Sequence, residues 1–136
     1  MKKHVFFKIA SLFFIAGIIF LLPGCPSTDE DDNGSGSNNF LGTYSCVETC
    51  TYQNDSYEIT ITAGGSTNEV TIYNLYDWDE NATATINGNN ISIPSQVLDG
   101  ITFSGTGSLS GNTLTISYTA EENNVTDVCN LVCTKQ

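Results

Sequence analysis

Four cysteines stand in two pairs near the ends of the C-terminal part of the chain, and thiols at this spacing suit two kinds of chemistry. Cys46 and Cys50 have three residues between them, and so do Cys129 and Cys133. Two such pairs could bind zinc as four thiolates, or they could form two disulfides. Thiolates are rarely kept reduced outside the cell, and the N-terminal segment described below predicts export. We therefore expect disulfides, with no bound metal or other cofactor.

The spacing also predicts which cysteines pair, provided that both segments are strands. Residues four apart on one strand are separated by about 13 Å, whereas a disulfide needs Cα atoms within about 7 Å of each other. In a meander with an even number of strands, the first and last strands run antiparallel and keep a constant sum of paired residue numbers. The bridges Cys46–Cys133 and Cys50–Cys129 satisfy one such register. An odd number of strands would instead favour Cys46–Cys129 and Cys50–Cys133.

The fifth cysteine, Cys25, closes an apolar N-terminal segment. Three lysines within the first eight residues precede the apolar stretch 9–22, which is typical of a signal peptide. An uncleaved anchor helix is the alternative. Leu22-Pro23-Gly24-Cys25 resembles the lipobox of bacterial lipoproteins. The resemblance implies that residues 1–24 are removed and that Cys25 carries a diacylglycerol and a further acyl chain, such as palmitate. Several acyl chains anchor a protein stably in a membrane.

The residues after Cys25 predict an export signal followed by a flexible tether. Asp29, Glu30, Asp31 and Asp32 resemble the acidic export signal of surface lipoproteins, which implies an outer-membrane location facing the cell exterior. The alternative is a solvated spacer, which is the usual role of a charge run. Residues 33–39 have no apolar side chain and are typical of a flexible linker. We therefore divide the chain into a signal peptide (1–24), a tether (25–39) and a folded domain (40–136).

The charge balance excludes several classes of function. The chain has four basic side chains, all of them lysine, and three lie in the predicted signal peptide. The mature chain would keep Lys135 and all 15 acidic side chains, a formal charge of −14. Its only histidine would also be removed. This composition excludes histidine-based catalytic triads, histidine metal ligands and bidentate arginine clamps. It also excludes nucleic acid as a partner, because that binding requires cations.

A carboxylate-pair glycan hydrolase is the remaining enzymatic alternative, since such enzymes need only two acids. Nothing in the sequence pairs the available carboxylates, and a carboxylate on the surface is the usual case. We therefore predict a protein that is not an enzyme. The acids considered are Glu48, Glu58, Glu69, Asp77, Asp79 and Glu80.

The domain has the pattern of an all-β fold. Eight short runs rich in Thr, Ile, Val and Tyr alternate with turns that contain Gly and Asn. They cover residues 42–52, 56–62, 68–76, 81–86, 90–94, 101–108, 112–119 and 125–134. We predict an antiparallel up-and-down meander of about eight strands that forms a closed or nearly closed barrel, with a β-sandwich as the alternative.

The start of the domain, Phe40-Leu41-Gly42-Thr43-Tyr44, and the hairpins that follow are similar to small lipocalin-like domains of bacterial surface lipoproteins. The resemblance implies a barrel with an apolar interior. A filled interior is the alternative, because the domain is shorter than typical lipocalins. The sequence also leaves open which face of the cysteine strands is core. Either Tyr44, Tyr52 and Leu131 or Val47, Val128 and Val132 could point inward.

A ligand site is predicted in the segment where the third run ends, residues 73–81. Tyr73, Tyr76, Asp77, Trp78 and Asp79 combine aromatic faces with carboxylates, which suits sugars and cations. The alternative is that Tyr73 and Leu75 are core residues of the strand and that residues 77–81 form an exposed turn. The segment matches a calcium loop poorly, because Ala82 and Gly88 occupy the positions that require Gly and Glu.

We therefore predict a surface lipoprotein that binds a small apolar ligand or a glycan and is attached to the membrane by its N-terminal lipid. The alternative is a structural or accessory subunit of a surface complex, with a protein as its partner. That alternative predicts a filled interior and an apolar outer patch.

Overall fold

The computed structural model describes residues 36–136, which form a closed barrel of eight antiparallel strands in chain order. The predicted signal peptide, Cys25 and the acidic run 29–32 lie outside the described residues. The strands are β1 (Gly42–Cys50), β2 (Asn54–Ala63), β3 (Glu69–Tyr73), β4 (Asn81–Asn87), β5 (Asn90–Leu98), β6 (Ile101–Ser110), β7 (Thr113–Glu122) and β8 (Val125–Lys135). Each strand pairs with the next, and β8 pairs with β1. The predicted up-and-down barrel is confirmed.

Strict alternation of apolar and polar residues determines which side of each strand faces inward. On β7, Leu114, Ile116 and Tyr118 are buried, while Thr113 and Ser117 between and beside them are exposed. Sliding the pairing by one residue would turn the whole apolar set outward, so this pattern specifies the register. Gly88 and Gly111 have positive φ in the tight turns that follow β4 and β6, where a side chain would be strained.

Two disulfides join β1 to β8 and close the barrel. Cys46 bonds to Cys133 and Cys50 bonds to Cys129, and the same cysteines face each other in the strand register. The predicted pairing is therefore confirmed. The Cys46–Cys133 bridge spans 87 positions in sequence. A cross-link over a loop of this length stabilises a protein by about 4.5 kcal/mol through the lost entropy of the unfolded chain.

The inward face of the cysteine strands carries Tyr44 and Leu131, which are both 0% exposed. Val47, Val128 and Val132 point outward and are 60%, 58% and 43% exposed. Inward positions alternate with outward ones, so the buried cysteines determine which neighbours are core. Tyr52 lies in the loop after β1 and is exposed.

One end of the barrel, which we call the proximal end, is closed by the 3-10 helix Gly36–Phe40. Phe40 is fully buried, and its carbonyl accepts a hydrogen bond of 2.8 Å from the Tyr44 hydroxyl. Lys135 Nζ donates to the carbonyl of Asn39 at 2.8 Å. The helix therefore spans the boundary predicted between tether and domain. The opposite, distal end carries the connections that follow β1, β3, β5 and β7.

The barrel interior is filled by side chains. Buried apolar residues from all eight strands form one cluster and are between 0% and 7% exposed, and Cys50, Tyr57 and Leu98 are partly buried against it. A cavity large enough for water would leave accessible surface on the residues around it, so these residues pack against each other. In the part of the chain that the structure describes, no helix has the length and apolar character needed to cross a bilayer.

Candidate functional site

The predicted ligand-site residues lie on two sides of the barrel wall. Tyr73, the last residue of β3, is 41% exposed on the outside, whereas Tyr76 is 2% exposed and points into the interior. Asp77 and Asp79 are exposed, and Trp78 is half-buried against the core. The third run therefore ends as a strand at Tyr73 rather than at residue 76. The five residues form no single aromatic patch.

The connection after β3 turns inward through left-handed backbone. Asn74, Tyr76 and Asp77 have φ values of 67°, 67° and 48°. This conformation is costly for a bulky residue such as Tyr76, so surrounding contacts must stabilise it. The Tyr76 N–H donates to the Tyr57 hydroxyl at 3.0 Å, and the Tyr76 hydroxyl donates to Asp127 Oδ2 at 2.9 Å. These two bonds hold Tyr76 as a plug in the distal end.

Two fully buried carboxylates lie beneath this plug. Glu48 Oε1 accepts hydrogen bonds from the Tyr57 hydroxyl, at 2.7 Å, and from the Tyr118 hydroxyl. Asp127 accepts from Tyr76 and, at 3.3 Å, from the N–H of Tyr52. Both carboxylates are 0% exposed. We call Glu48, Asp127, Tyr57, Tyr76 and Tyr118 the acid–tyrosine cluster.

Sequence reasoning missed this cluster, although a signal for it was present. Glu48 lies two residues from both Cys46 and Cys50, and Asp127 lies two residues before Cys129. Residues two apart on a strand share a face. If the cysteines are taken to face inward, both acids must also face inward.

The phenols of the cluster remain neutral hydrogen-bond donors. Burial raises the pKa of Tyr57, Tyr76 and Tyr118 well above the usual value of a phenol, and the neighbouring acids raise it further. The Tyr76 ring packs edge-on against Phe103 and Tyr118, with centroids 5.9 and 6.3 Å apart. The rings and the hydrogen bonds together surround both carboxylates.

The geometry of the cluster supports a structural role. Glu48 Oε2 is buried and has no hydrogen-bond partner among the described residues. Its carboxylate lies near the sulfurs of Cys50 and Cys129, all within 4.8 Å of one another. Those sulfurs are bonded to each other, so they offer no thiolate to a metal.

A glycosidase needs both carboxylates at the scissile bond, whereas Glu48 and Asp127 are enclosed.

A second feature is a groove on the outer surface of the barrel over β6 and β7. On the inner side of β6, two of the inward positions are glycines. A Cβ on Gly105 would collide with Tyr118, and a Cβ on Gly107 would collide with the carbonyl of Thr115. The missing side chains therefore let β6 approach β7 closely, and an open groove of about 610 Å³ lies over this part of the wall. The groove is lined by Thr85, Asn87, Asn90, Ile91, Ser92, Thr106, Gly107, Ser108, Thr115 and Ser117.

This outer groove has a distinctive chemistry. Its side chains supply hydroxyls and amides, and none of the residues that line it is charged. It continues towards the distal end as a second depression of about 450 Å³, which shares Ser92, Thr106 and Ser117 and extends to Val128 on β8. Its volume is in the range of small-molecule sites.

Comparison of the chain with protein-family models and with curated proteins finds no match. The groove and the cluster are therefore interpreted from their own chemistry.

Proposed function

We propose that this protein is a lipid-anchored surface protein whose barrel is a non-catalytic binding module, and that a neutral glycan binds in the outer groove. The observation that carries this proposal is the uncharged lining of hydroxyl and amide side chains along a groove of about 610 Å³. Serine and threonine hydroxyls both donate and accept hydrogen bonds, as sugar hydroxyls do. Such a lining therefore matches a polyhydroxylated ligand.

The filled interior favours a glycan over a small apolar ligand. An apolar ligand inside the barrel would have to displace side chains that are between 0% and 7% exposed. The outer groove is accessible without such a rearrangement. Charge disfavours an anionic ligand, because the described domain carries 11 acidic side chains and a single lysine.

The absence of acid groups at the groove supports binding without catalysis. None of the described residues that line it is Asp or Glu. The two acids that lie inside the barrel, Glu48 and Asp127, accept hydrogen bonds from tyrosines. Acid–base hydrolysis requires carboxylates that contact the substrate.

The location of the protein is part of the same proposal. Acylation of Cys25 and recognition of residues 29–32 would attach the protein to the outer membrane facing the cell exterior. Residues 36–39, the described part of the predicted tether, lie at the proximal end. Mass spectrometry of the N-terminal peptide tests the anchor, since an unmodified Cys25 or an intact leader would contradict it.

A second candidate function is an accessory subunit of a surface complex. This function predicts a filled interior and an apolar outer patch. The interior is filled, and three valines are exposed on the outer surface, Val47, Val128 and Val132. A protein partner would contact the valines, whereas a glycan would contact the groove over Gly107. Variants placed in these two areas therefore separate the two functions.

The test is calorimetric titration of the detergent-solubilised lipoprotein with neutral oligosaccharides. Thr106→Tyr places a bulky side chain in the groove, and we expect it to weaken binding by about tenfold or more, equivalent to about 1.4 kcal/mol. Thr43→Tyr is the matched control, because Thr43 is an exposed outward residue on β1 that does not line the groove. The proposal fails if no neutral oligosaccharide binds, or if both variants weaken binding equally.

A further inference from the structure

We infer that the ligand is a neutral glycoside with an apolar aglycone, and that the aglycone lies on three exposed valines beside the outer groove. These residues, Val47, Val128 and Val132, are called the valine strip. The inference rests on the proposed function for the sugar part of the ligand. It adds a second subsite of different chemistry, on different strands.

The valine strip borders the groove at two points. Val128 itself lines the distal part of the groove. Val132 lies four residues further along the same face of β8, beyond Asn130, and is opposite the groove-lining Thr115 on β7 and Val47 on β1. A ligand in the groove therefore has apolar surface within reach at Val128 and beyond Thr115.

The strip is unusual on this barrel. Next to it on β7, the outward residues Thr115, Ser117 and Thr119 are polar and face Val132, Asn130 and Val128 across the strand pair. Single exposed valines are common, but the cross-strand pair Val47 and Val132 beside a groove that Val128 lines indicates a contact surface. The three valines are between 43% and 60% exposed, so they offer area that a ligand could remove from water.

The strip is also held rigidly. The disulfides Cys46–Cys133 and Cys50–Cys129 lie on the inner face of the same two strands. The pair Val47 and Val132 is adjacent to the pair Cys46 and Cys133 in the register. A preorganised surface loses little entropy on binding, which favours it as a subsite.

Charge favours a neutral amphiphile over an anionic one. Neither the strip nor the groove lining contains a charged side chain. The only lysine of the described domain, Lys135, is engaged at the proximal end with Asn39 and the Tyr44 ring. A phosphorylated lipid would therefore find no cation here, and the acidic domain would repel it.

The test compares the methyl and octyl glycosides of one sugar, for each of several neutral sugars, at octyl glycoside concentrations below micelle formation. We expect the octyl glycoside to bind about tenfold more tightly than the methyl glycoside, because several methylenes leave water. The double variant Val128→Thr, Val132→Thr should lose this gain and keep the affinity for the methyl glycoside. Threonine has nearly the shape of valine and is common on this surface, so the fold should be preserved.

Val97→Thr is the matched control, since Val97 on β5 is 66% exposed and does not line the groove. It should leave both affinities unchanged. An octyl chain on a polyoxyethylene head, which has no sugar, should bind much more weakly than the octyl glycoside.

The outcomes separate this inference from the proposed function. If methyl glycosides bind and the octyl chain adds nothing, or if its gain survives in the double variant, the valine subsite is wrong and the glycan site stands. If the octyl chain binds equally on either head, the strip binds apolar groups in general and the inference is overturned. If no glycoside binds, both proposals fail.

Discussion

In the proximal half of the barrel the inward side chains are apolar apart from the Tyr44 phenol, whereas in the distal half two carboxylates are surrounded by phenols. Phe40 and Leu114 are 0% exposed proximally, and Glu48 and Asp127 are 0% exposed distally. Burial of apolar area stabilises the first group without requiring particular partners. The second group is stable only while its hydrogen bonds are satisfied, because an unpaired buried polar group is costly. The two halves should therefore respond differently to mutation and to pH.

The largest expected effect on the free energy of unfolding comes from removing both disulfides. Cys46–Cys133 lies nearer the proximal end and Cys50–Cys129 nearer the distal end. Replacing all four cysteines with Ala should lower the free energy of unfolding by about 4.5 kcal/mol or more. Removing either bridge alone should cost much less, because the other still closes nearly the same loop. Urea unfolding measures these values, and nearly additive single losses would contradict the shared-loop explanation.

Leu114→Ala tests the proximal half. Leu114 is fully buried on β7, and truncating such a residue costs about 3 kcal/mol through lost burial and the cavity that remains. The loss should be the same at neutral and alkaline pH. Thr113→Ala, at the exposed neighbouring position, is the control and should change stability little.

Tyr118→Phe tests the distal half at neutral pH. It removes one of the two phenol donors to Glu48 Oε1, and we expect a loss of about 2 kcal/mol because a buried acceptor loses a partner. Tyr73→Phe, on the outer surface, is the matched control. A loss no larger than that of the control would show that the hydrogen bond to Glu48 contributes little.

Alkaline pH sharpens the comparison further. Burial raises the pKa of three distal tyrosines, Tyr57, Tyr76 and Tyr118, and of one proximal tyrosine, Tyr44, in the folded state. The unfolded chain loses these protons above about pH 10 while the folded chain keeps them. Stability should therefore be intact below that pH and fall above it, by about 1.4 kcal/mol per pH unit for each tyrosine.

Unfolding followed by circular dichroism at several alkaline pH values measures this slope. Tyr118→Phe should reduce the slope by the contribution of one tyrosine, and Leu114→Ala should leave it unchanged. If phenolate absorbance from all four residues develops while the barrel remains folded, the raised pKa values are contradicted.

Local patterns were sufficient to predict most of the architecture. All eight strands, their meander order and both disulfides follow from period-2 alternation, turn residues and the constant register sum of the cysteines. Those signals depend only on backbone geometry and on neighbours in sequence. The third strand was predicted too long, because left-handed backbone at Asn74 ends it after Tyr73.

The candidate sites were less predictable. The sequence suggested an aromatic and acidic site around Tyr76 and Trp78, but Tyr76 turns inward to donate to Asp127, which lies 51 positions away in sequence. No sequence motif predicted the outer groove. Its lining comes from β4, β5, β6 and β7, and these residues lie side by side only once the four strands are paired.

The sequence by itself determined the strand set, the disulfide pairing that an even-stranded meander requires, and a domain over 36–136 without histidine or arginine, because composition, alternation and spacing can be read without the fold. Only the tertiary structure decided that Glu48 and Asp127 share an enclosed cluster, that the interior is filled, and that the valines lie beside a groove. Those facts depend on which residues from distant strands meet when the barrel closes. Closure is a property of the whole set of strand pairs, and no single segment encodes it.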